Sequence, residues 1–285
     1  MNINSSNPDY KRIIINQNIT QSKVGTYNKI LIMPCIKNSY FRNFNVSPIS
    51  NVCNVKVINK HYIDILDVLL LKGIQNIKKQ NIPVIVQNIS REFTGSNLER
   101  EEGIQDSPTL LRTNLSVACR MNDPFPIKDS EVVYLPLVTT IRDKNCQFLN
   151  YSQIFSYSLI YSVPIEEPTL VDDEKMNVED YMKTLTVIET AFQTAIAKNH
   201  KVLILSPFGL NENDENPIDD IIKIYNFCIY KYGHYFNNII ISIPKDYPSE
   251  VYDIFNDDII KPQELTEQID DKYDNMKLHS KLVTK

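Results

Sequence analysis

The sequence predicts an α/β fold in which a mostly parallel sheet is flanked by helices, and three observations carry that expectation. Short apolar runs such as Val84-Ile85-Val86 and Val202 to Leu205 read as strands buried on both faces. Longer stretches between them repeat apolar side chains at helical spacing. The two patterns alternate as helix–strand and strand–helix–strand units, the order expected of parallel strands joined by crossover helices.

Each element follows in turn. The first 20 residues, rich in Asn, Ser and Gln, read as an extended or poorly ordered arm. Asn28 to Met33 and Val55 to Ile58 read as short strands. From His61 to Lys79, Ile63, Leu66, Val68, Leu69, Leu70, Ile74 and Ile77 recur as one face of an amphipathic helix. Pro83 then precedes the strand Val84 to Val86. Val132 to Val138 and Tyr157 to Val163 are further strands, the second stopped by Pro164. Asp172-Asp173-Glu174 is an acidic connector into a helix from Val178 to Lys198, with Leu185, Ile188, Ala191, Phe192, Ala195 and Ile196 along one side. Val202 to Leu205, the helix Ile218 to Tyr232 and the strand Asn238 to Ile243 complete the alternation. After Pro244 the chain turns acidic, then carries Lys277, Lys281 and Lys285 in a segment read as solvated. The division expected is an arm at 1–20, one domain at 21–245 and an extension at 246–285, with no internal repeat.

Composition narrows the function classes. The 285 residues suffice for one substantial core, and 42% hydrophobic with 23% charged residues is ordinary for a globular chain. A formal net charge of -5 supplies no global field for nucleic acid or an anionic membrane, so neither partner is expected. No apolar run approaches the roughly 20 residues that span a bilayer. The polar start, Met1 to Asn7, does not read as a secretory signal, so a cytoplasmic location is expected. The Asn, Ile and Lys bias suggests an AT-rich genome, such as that of a large DNA virus or a protist. A viral source would place the protein in host cytoplasm or virion.

Cys35, Cys53, Cys119, Cys146 and Cys228 are odd in number and never spaced as Cys-x-x-Cys, which favours neither disulfides nor zinc. His61, His200, His234 and His279 are isolated and read as structural, so no metal or cofactor is expected. Only 6 glycines occur, without a Walker loop or a Rossmann fingerprint. A P-loop hydrolase and a Rossmann redox enzyme are both disfavoured.

The most informative segment follows the strand Val84 to Val86. It reads Gln87-Asn88-Ile89-Ser90-Arg91-Glu92-Phe93-Thr94-Gly95-Ser96-Asn97-Leu98-Glu99-Arg100-Glu101-Glu102. Ligands of open parallel sheets bind beyond the carboxyl ends of the strands, so a polar loop running into paired carboxylates is where a site belongs. One carboxyl group there can protonate a leaving oxygen while water attacks a sugar carbon. The competing explanation is that Glu99, Glu101 and Glu102 only favour the dipole of a helix start.

In order along the chain, these segments resemble the microbial poly(ADP-ribose) glycohydrolase-like macrodomains. That family has a strand ending Val-Leu-Asn, a triple-glycine loop, then Gln-Glu-Glu opening a helix. This chain has Val86-Gln87-Asn88, a loop with the single Gly95, then Arg100-Glu101-Glu102. Tyr134-Leu135-Pro136-Leu137-Val138-Thr139-Thr140-Ile141-Arg142-Asp143 is similar to the family's next strand, and Leu159 to Pro164 to the one after it. Ser206-Pro207-Phe208-Gly209-Leu210-Asn211-Glu212-Asn213 stands where the family has a glycine-rich turn, and Ile239 to Ile243 matches the last strand. The likeness covers roughly 21–245 and implies a three-layer macrodomain fold around a mixed, mostly parallel sheet.

By this resemblance Glu102 is the catalytic acid, Glu101 its ribose-contacting neighbour, and Asn88 the residue that orients the distal ribose. Gly209 approaches the phosphates, with Gly95 and Phe208 as further ligand contacts in the two turns. The departures are as informative. The triple glycine is gone, Leu210 and Asn211 replace the neighbours of Gly209, and Glu212, Asp214 and Glu215 follow, acids that repel a diphosphate unless they point away. The arginine usual after the double Glu is missing, with Asp106 and Ser107 in that stretch. A degenerate macrodomain acting as an interaction or structural module is therefore the favoured expectation. An active ADP-ribosyl glycohydrolase using Glu102 is the alternative, and a non-hydrolytic reader of ADP-ribose or a related nucleotide the third. The partners implied are ADP-ribose, ADP-ribosylated protein, or proteins met through an exposed face to which the 16 tyrosines contribute.

Overall fold

The computed structural model describes residues 8–25, 27, 29–39, 46–49, 53–71, 82–89, 107–121, 124–211 and 214–260. The chain forms α1 (Pro8–Lys23), β1 (Ile36–Asn38), β2 (Asn54–Ile58), α2 (Tyr62–Leu71), β3 (Val84–Asn88), α3 (Ser107–Arg112), α4 (Leu115–Met121), β4 (Val132–Thr140) and β5 (Phe155–Ser162). It continues through β6 (Leu170–Val171), β7 (Lys175–Met176), α5 (Val178–Ala197), β8 (Val202–Leu205), α6 (Ile218–Tyr232), β9 (Asn238–Ser242) and α7 (Ser249–Asp258).

Seven strands make one mixed sheet in the order β1-β4-β5-β3-β8-β9-β2. From β5 to β2 every pairing is parallel, and β4 and β1 are added antiparallel at one edge. Period-two alternation sorts the strand side chains onto two faces. Val84, Val86, Leu203, Leu205, Ile239 and Ile241 pack toward α5, α6 and α7. Ile85, Ile204, Ile240, Leu135 and Leu159 pack with Tyr62, Ile63, Ile65 and Leu66 of α2 and Leu115 and Ala118 of α4. The result is three layers, helices–sheet–helices, as the sequence predicts. The chain steps through α6 from β8 to its neighbour β9, and through α2 in the opposite direction across the sheet, so a constant crossover handedness puts these helices on opposite faces.

Two local expectations need correction. Asn28 to Met33 forms no strand over its described residues, and the chain joins the sheet only at β1. Leu31 and Met33 are exposed there and only Ile32 packs against the core, so the run lacks the burial that would fix it as a strand. Over its described residues the segment expected as an arm is not extended, because Pro8–Lys23 is helical. Ile14 and Ile15 of α1 pack on Leu111, and the buried Asn18 side chain sends its Nδ2 to the carbonyls of Leu110 (3.2 Å), Leu111 (3.0 Å) and Thr113 (3.2 Å). Polar composition concealed a helix whose anchor is polar.

The junction behind α1 centres on Arg142, which is buried. Its Nε donates to Asn18 Oδ1 at 2.6 Å, Nη2 to Gln17 Oε1 at 2.9 Å and Nη1 to the Cys146 carbonyl at 2.5 Å, while Phe148 lies 3.6 Å beneath the guanidinium. Arg112, also buried, donates from Nη2 to both carboxylate oxygens of Asp67 at 3.0 and 2.9 Å. That charge-assisted contact, made through one nitrogen, ties α3 to α2. No helix among the described residues is long and apolar enough to cross a membrane.

Candidate functional site

Because β2, β3, β8 and β9 run parallel, their carboxyl ends lie on one edge of the sheet, and the main cleft opens there. It holds about 680 Å³ and is lined by His61 beyond β2, Gln87 and Asn88 ending β3, Ser206 and Pro207 after β8, and Ser242 ending β9. Leu210, Asn211, Pro244, Asp246 and Tyr247 complete most of the wall. This is the position that open parallel sheets give their ligands, and the size falls within that of small-molecule sites.

The floor is polar and internally tied. Tyr62 Oη donates to Gln87 Oε1 at 2.8 Å and also shares a hydrogen bond with Thr109 Oγ1. Asn88 Nδ2 donates to the Pro207 carbonyl at 2.9 Å, and Ser162 Oγ donates to Asn88 Oδ1 at 3.5 Å. Asn88 thus clamps the end of β3 to the turn after β8. An amide offers two N–H bonds and two lone pairs, so among the described residues one of each is left without a partner. The resemblance gives this residue a ribose; the structure adds a structural duty.

The β8–α6 turn explains why one glycine survives. Gly209 has φ of 63°, in the left-handed region, and a Cβ there would lie 2.5 Å from Asn216 Nδ2. Asn216 is buried and donates to the carbonyls of Ile165 (2.8 Å) and Asp214 (3.0 Å). Among the described residues, the N–H groups of Gly209 and Leu210 have no hydrogen-bond partner, which leaves donors in a turn beside the cleft. Phe208 lies elsewhere: it is 2% exposed, packs into the core with α6 and does not line the cleft.

Charge is distributed differently from the sequence expectation. Asp214 does not face the cleft; it is buried and accepts from Asn211 Nδ2, and burial, against the Asn211 hydrogen bond, pushes its carboxyl up to about 6. The exposed Asp246 is the carboxylate that lines the cleft, and no lysine or arginine does so among the described residues. Glu101, Glu102 and Gly95 lie outside the described residues.

Sequence reasoning read His61 as structural, yet it lines the cleft with its ring 4.4 Å from that of Tyr62, and its Nδ1 accepts from Ile63 N at 3.2 Å. Tyr62, Gln87, Asp246 and Tyr247 were missed as well. One signal could have found them, since each sits just beyond or at the end of a parallel strand. His200 is structural as expected: it is buried, bonds Tyr134 Oη at 2.9 Å and the Ile82 carbonyl at 2.8 Å, and burial lowers its pKa to about 4.

A three-layer mixed sheet with a cleft across its parallel carboxyl edge defines a macrodomain-like α/β fold. Solved structures agree. The poly(ADP-ribose) glycohydrolase of Thermomonospora curvata superposes with a TM-score of 0.62 at 11% identity, over 87% of this chain and 98% of that one. The same enzyme bound to the inhibitor ADP-HPD gives the same values. The Deinococcus radiodurans enzyme in complex with ADP-ribose superposes with a TM-score of 0.54 at 10% identity, over 87% and 89% of the two chains. No family model matches the sequence, and no curated protein does. The chain has the fold of these bacterial glycohydrolases.

Proposed function

We propose that this chain is a divergent macrodomain that receives ADP-ribose, free or attached to protein, in the cleft between β3 and the β8–α6 turn, and that it acts as a binding module with weakened catalysis. The observation that carries the reading is the cleft itself. It sits at the carboxyl edge of a glycohydrolase-type sheet, with the clamp residue Asn88 on one wall and, close by, the N–H groups of Gly209 and Leu210, which have no partner among the described residues. Two features argue for weak rather than tight binding. No cation lines the cleft among the described residues, and Asp246 adds a negative charge where a diphosphate would lie. The diphosphate then depends on backbone donors, and the sequence supplies few glycines to bring backbone close.

Titration of the purified chain with ADP-ribose tests this. The expected result is binding with a Kd of about 10–100 μM, or roughly 6 kcal/mol, with no release of ADP-ribose from modified protein. Absence of heat at millimolar ligand from folded protein sinks the ligand reading and leaves a scaffold. A second reading, an active glycohydrolase, is favoured by Arg100-Glu101-Glu102 following β3 in sequence. There Glu102 donates its proton to the scissile ribosidic oxygen as water adds to the ribose carbon. Turnover lost in Glu102→Gln with binding retained establishes that reading in place of the first.

A further inference from the structure

Among the described residues, one group of exposed large apolar side chains lies on the β6–β7 hairpin and the start of α5, outside the cleft lining. Leu170 and Val171 are exposed on β6, the latter to 51%, and Val178 (65%) and Met182 (42%) are exposed on α5. Val178 and Met182, four residues apart, share a helix face. Two hydrogen bonds join the hairpin to that helix: Asn177 N to the Thr169 carbonyl at 2.8 Å, and Thr169 N to Asp180 Oδ2 at 3.0 Å. A third, Met176 N to Asp220 Oδ2 at 2.8 Å, fixes it to α6. The hairpin tip is shaped by Asp172 and Asp173, both left-handed with φ of 55° and 58°. The apolar side chains therefore stand on a braced platform, which lowers the ordering cost of binding.

The rim of that platform is acidic. Glu166, Glu167, Asp172, Asp173, Glu174 and Glu179 are all exposed. Only Lys175 and Lys183 oppose them in this stretch, and Lys183 is already paired with Glu179 at 2.8 Å. A surface of this sign repels phosphates, so a nucleic acid or an anionic membrane does not fit it. Apolar side chains, a thioether among them, ringed by one sign of charge match a partner with apolar anchors flanked by the opposite sign.

From this charge complementarity we infer that the hairpin and the first turns of α5 form a docking surface for a lysine- or arginine-rich amphipathic segment of a partner protein. The anchors enter around Val171, Val178 and Met182, and the partner's cations face Asp172, Asp173, Glu174 and Glu179. The surface lies next to the cleft wall, because Glu167 N donates to the Asp214 carbonyl at 3.1 Å and Asn216 Nδ2 reaches the Ile165 carbonyl. A bound partner would so be held beside the β8–α6 turn. The inference does not depend on the cleft binding ADP-ribose.

The test uses the full chain and three synthetic 18-residue peptides with identical leucine positions, whose polar positions are all lysine, all glutamate or all glutamine. Fluorescence anisotropy is expected to give the lysine peptide at least tenfold tighter binding than either of the others, weakening as salt is raised. The variants Val178→Ser/Met182→Ser and Asp172→Asn/Asp173→Asn/Glu174→Gln should each weaken it about tenfold, with thermal unfolding and ADP-ribose titration unchanged. Equal binding of the three peptides overturns the proposal, as does lysine-peptide binding that neither variant alters. Dimerisation by sedimentation that Val178→Ser/Met182→Ser abolishes overturns it in favour of a second copy. Binding that occurs only after residues 261–285 are removed overturns it in favour of the chain's own lysine-bearing segment.

Discussion

Two regions of this molecule bury polar side chains, and they do so to different ends. Behind α1, Arg142 spends its guanidinium on Asn18, Gln17 and the Cys146 carbonyl and stacks on Phe148. At the cleft floor, Asn88 and the Gly209–Leu210 turn are held in place yet keep unspent donors. The first arrangement is closed, with hydrogen bonds joining one part of the chain to another. The second is half open among the described residues: Asn88 is anchored to the Pro207 carbonyl yet lines the cleft, as Leu210 does, while Gly209 is buried in the turn. Closed networks specify structure, whereas half-open ones specify structure and leave capacity for a ligand. Damage to the seam should therefore lower stability and spare binding, and the balance should reverse toward the cleft.

The largest effect is expected at the seam. Arg142→Met takes the donor from the buried Asn18 Oδ1, and also from the exposed Gln17 Oε1 and the half-buried Cys146 carbonyl, which water can reach. One stranded buried acceptor together with the lost guanidinium packing on Phe148 should cost about 3 kcal/mol in urea unfolding. The affinity of the folded fraction for ADP-ribose should not change. A parallel loss of affinity would show that the seam and the cleft are one unit.

Next comes a pH effect inside the closed class. His200 has an ordinary pKa of 6.5 that burial lowers to about 4, so the fold holds it neutral. Its contribution is complete above 6.5 and is lost as pH falls toward about 4, by up to roughly 3 kcal/mol. Asp214 works against this slope. Its carboxyl is raised from 3.8 to about 6, so the fold prefers it protonated, and that stabilisation is lost as pH rises through about 6. Unfolding measured from pH 7 to 4 should therefore show a partly cancelled slope, steeper in Asp214→Asn and reversed in His200→Gln. A wild-type slope unaltered by either change would refute both assignments.

Gly209→Ala comes third and touches both properties. Left-handed backbone costs a non-glycine residue about 1 kcal/mol, and the added Cβ would press on Asn216 Nδ2 from 2.5 Å. A total near 2 kcal/mol in denaturant unfolding is expected, together with a loss of ADP-ribose affinity on the order of tenfold as the turn shifts. Lost stability with intact affinity would remove this turn from the site.

The sheet was legible in the sequence because buried strands must be continuous apolar runs. Val84 to Val86, Leu203 to Leu205 and Ile239 to Ile243 bury both faces, and their shortness between turn residues separates them from helices. α5 and α6 were equally plain from their apolar stripes. What escaped was structure held by side-chain polarity. α1 has little apolar periodicity and is anchored by Asn18 and by Arg142, 124 residues away, which no local pattern records. Asn28 to Met33 shows the converse, an apolar run with nothing to pair against. Asn88 and Gly209 stand out in the sequence because a strand end and a lone glycine have backbone signatures, and the structure puts Asn88 in the cleft wall and Gly209 in the buried turn after β8. His61, Asp246 and Tyr247 also follow strand ends, but only the sheet order β8-β9-β2 brings them together, and one-dimensional spacing does not encode that order.

The smallest effect is the sharpest test of the open side. Asp246 is exposed, lines the cleft and has no ion-pair partner among the described residues, so Asp246→Asn should leave stability within about 0.5 kcal/mol. Its consequence should appear in affinity alone. A carboxylate some 7 Å from a diphosphate in well-solvated surroundings repels each phosphate charge by about 0.6 kcal/mol. With two such charges on the diphosphate, removing it should tighten ADP-ribose binding by up to about sevenfold at low ionic strength, and the gain should vanish near 0.5 M salt, where the screening length falls to about 4 Å. A gain that persists in high salt would mean that Asp246 acts through the shape of the cleft wall. No gain at any salt would place the diphosphate at the Gly209 end, beyond the reach of this charge.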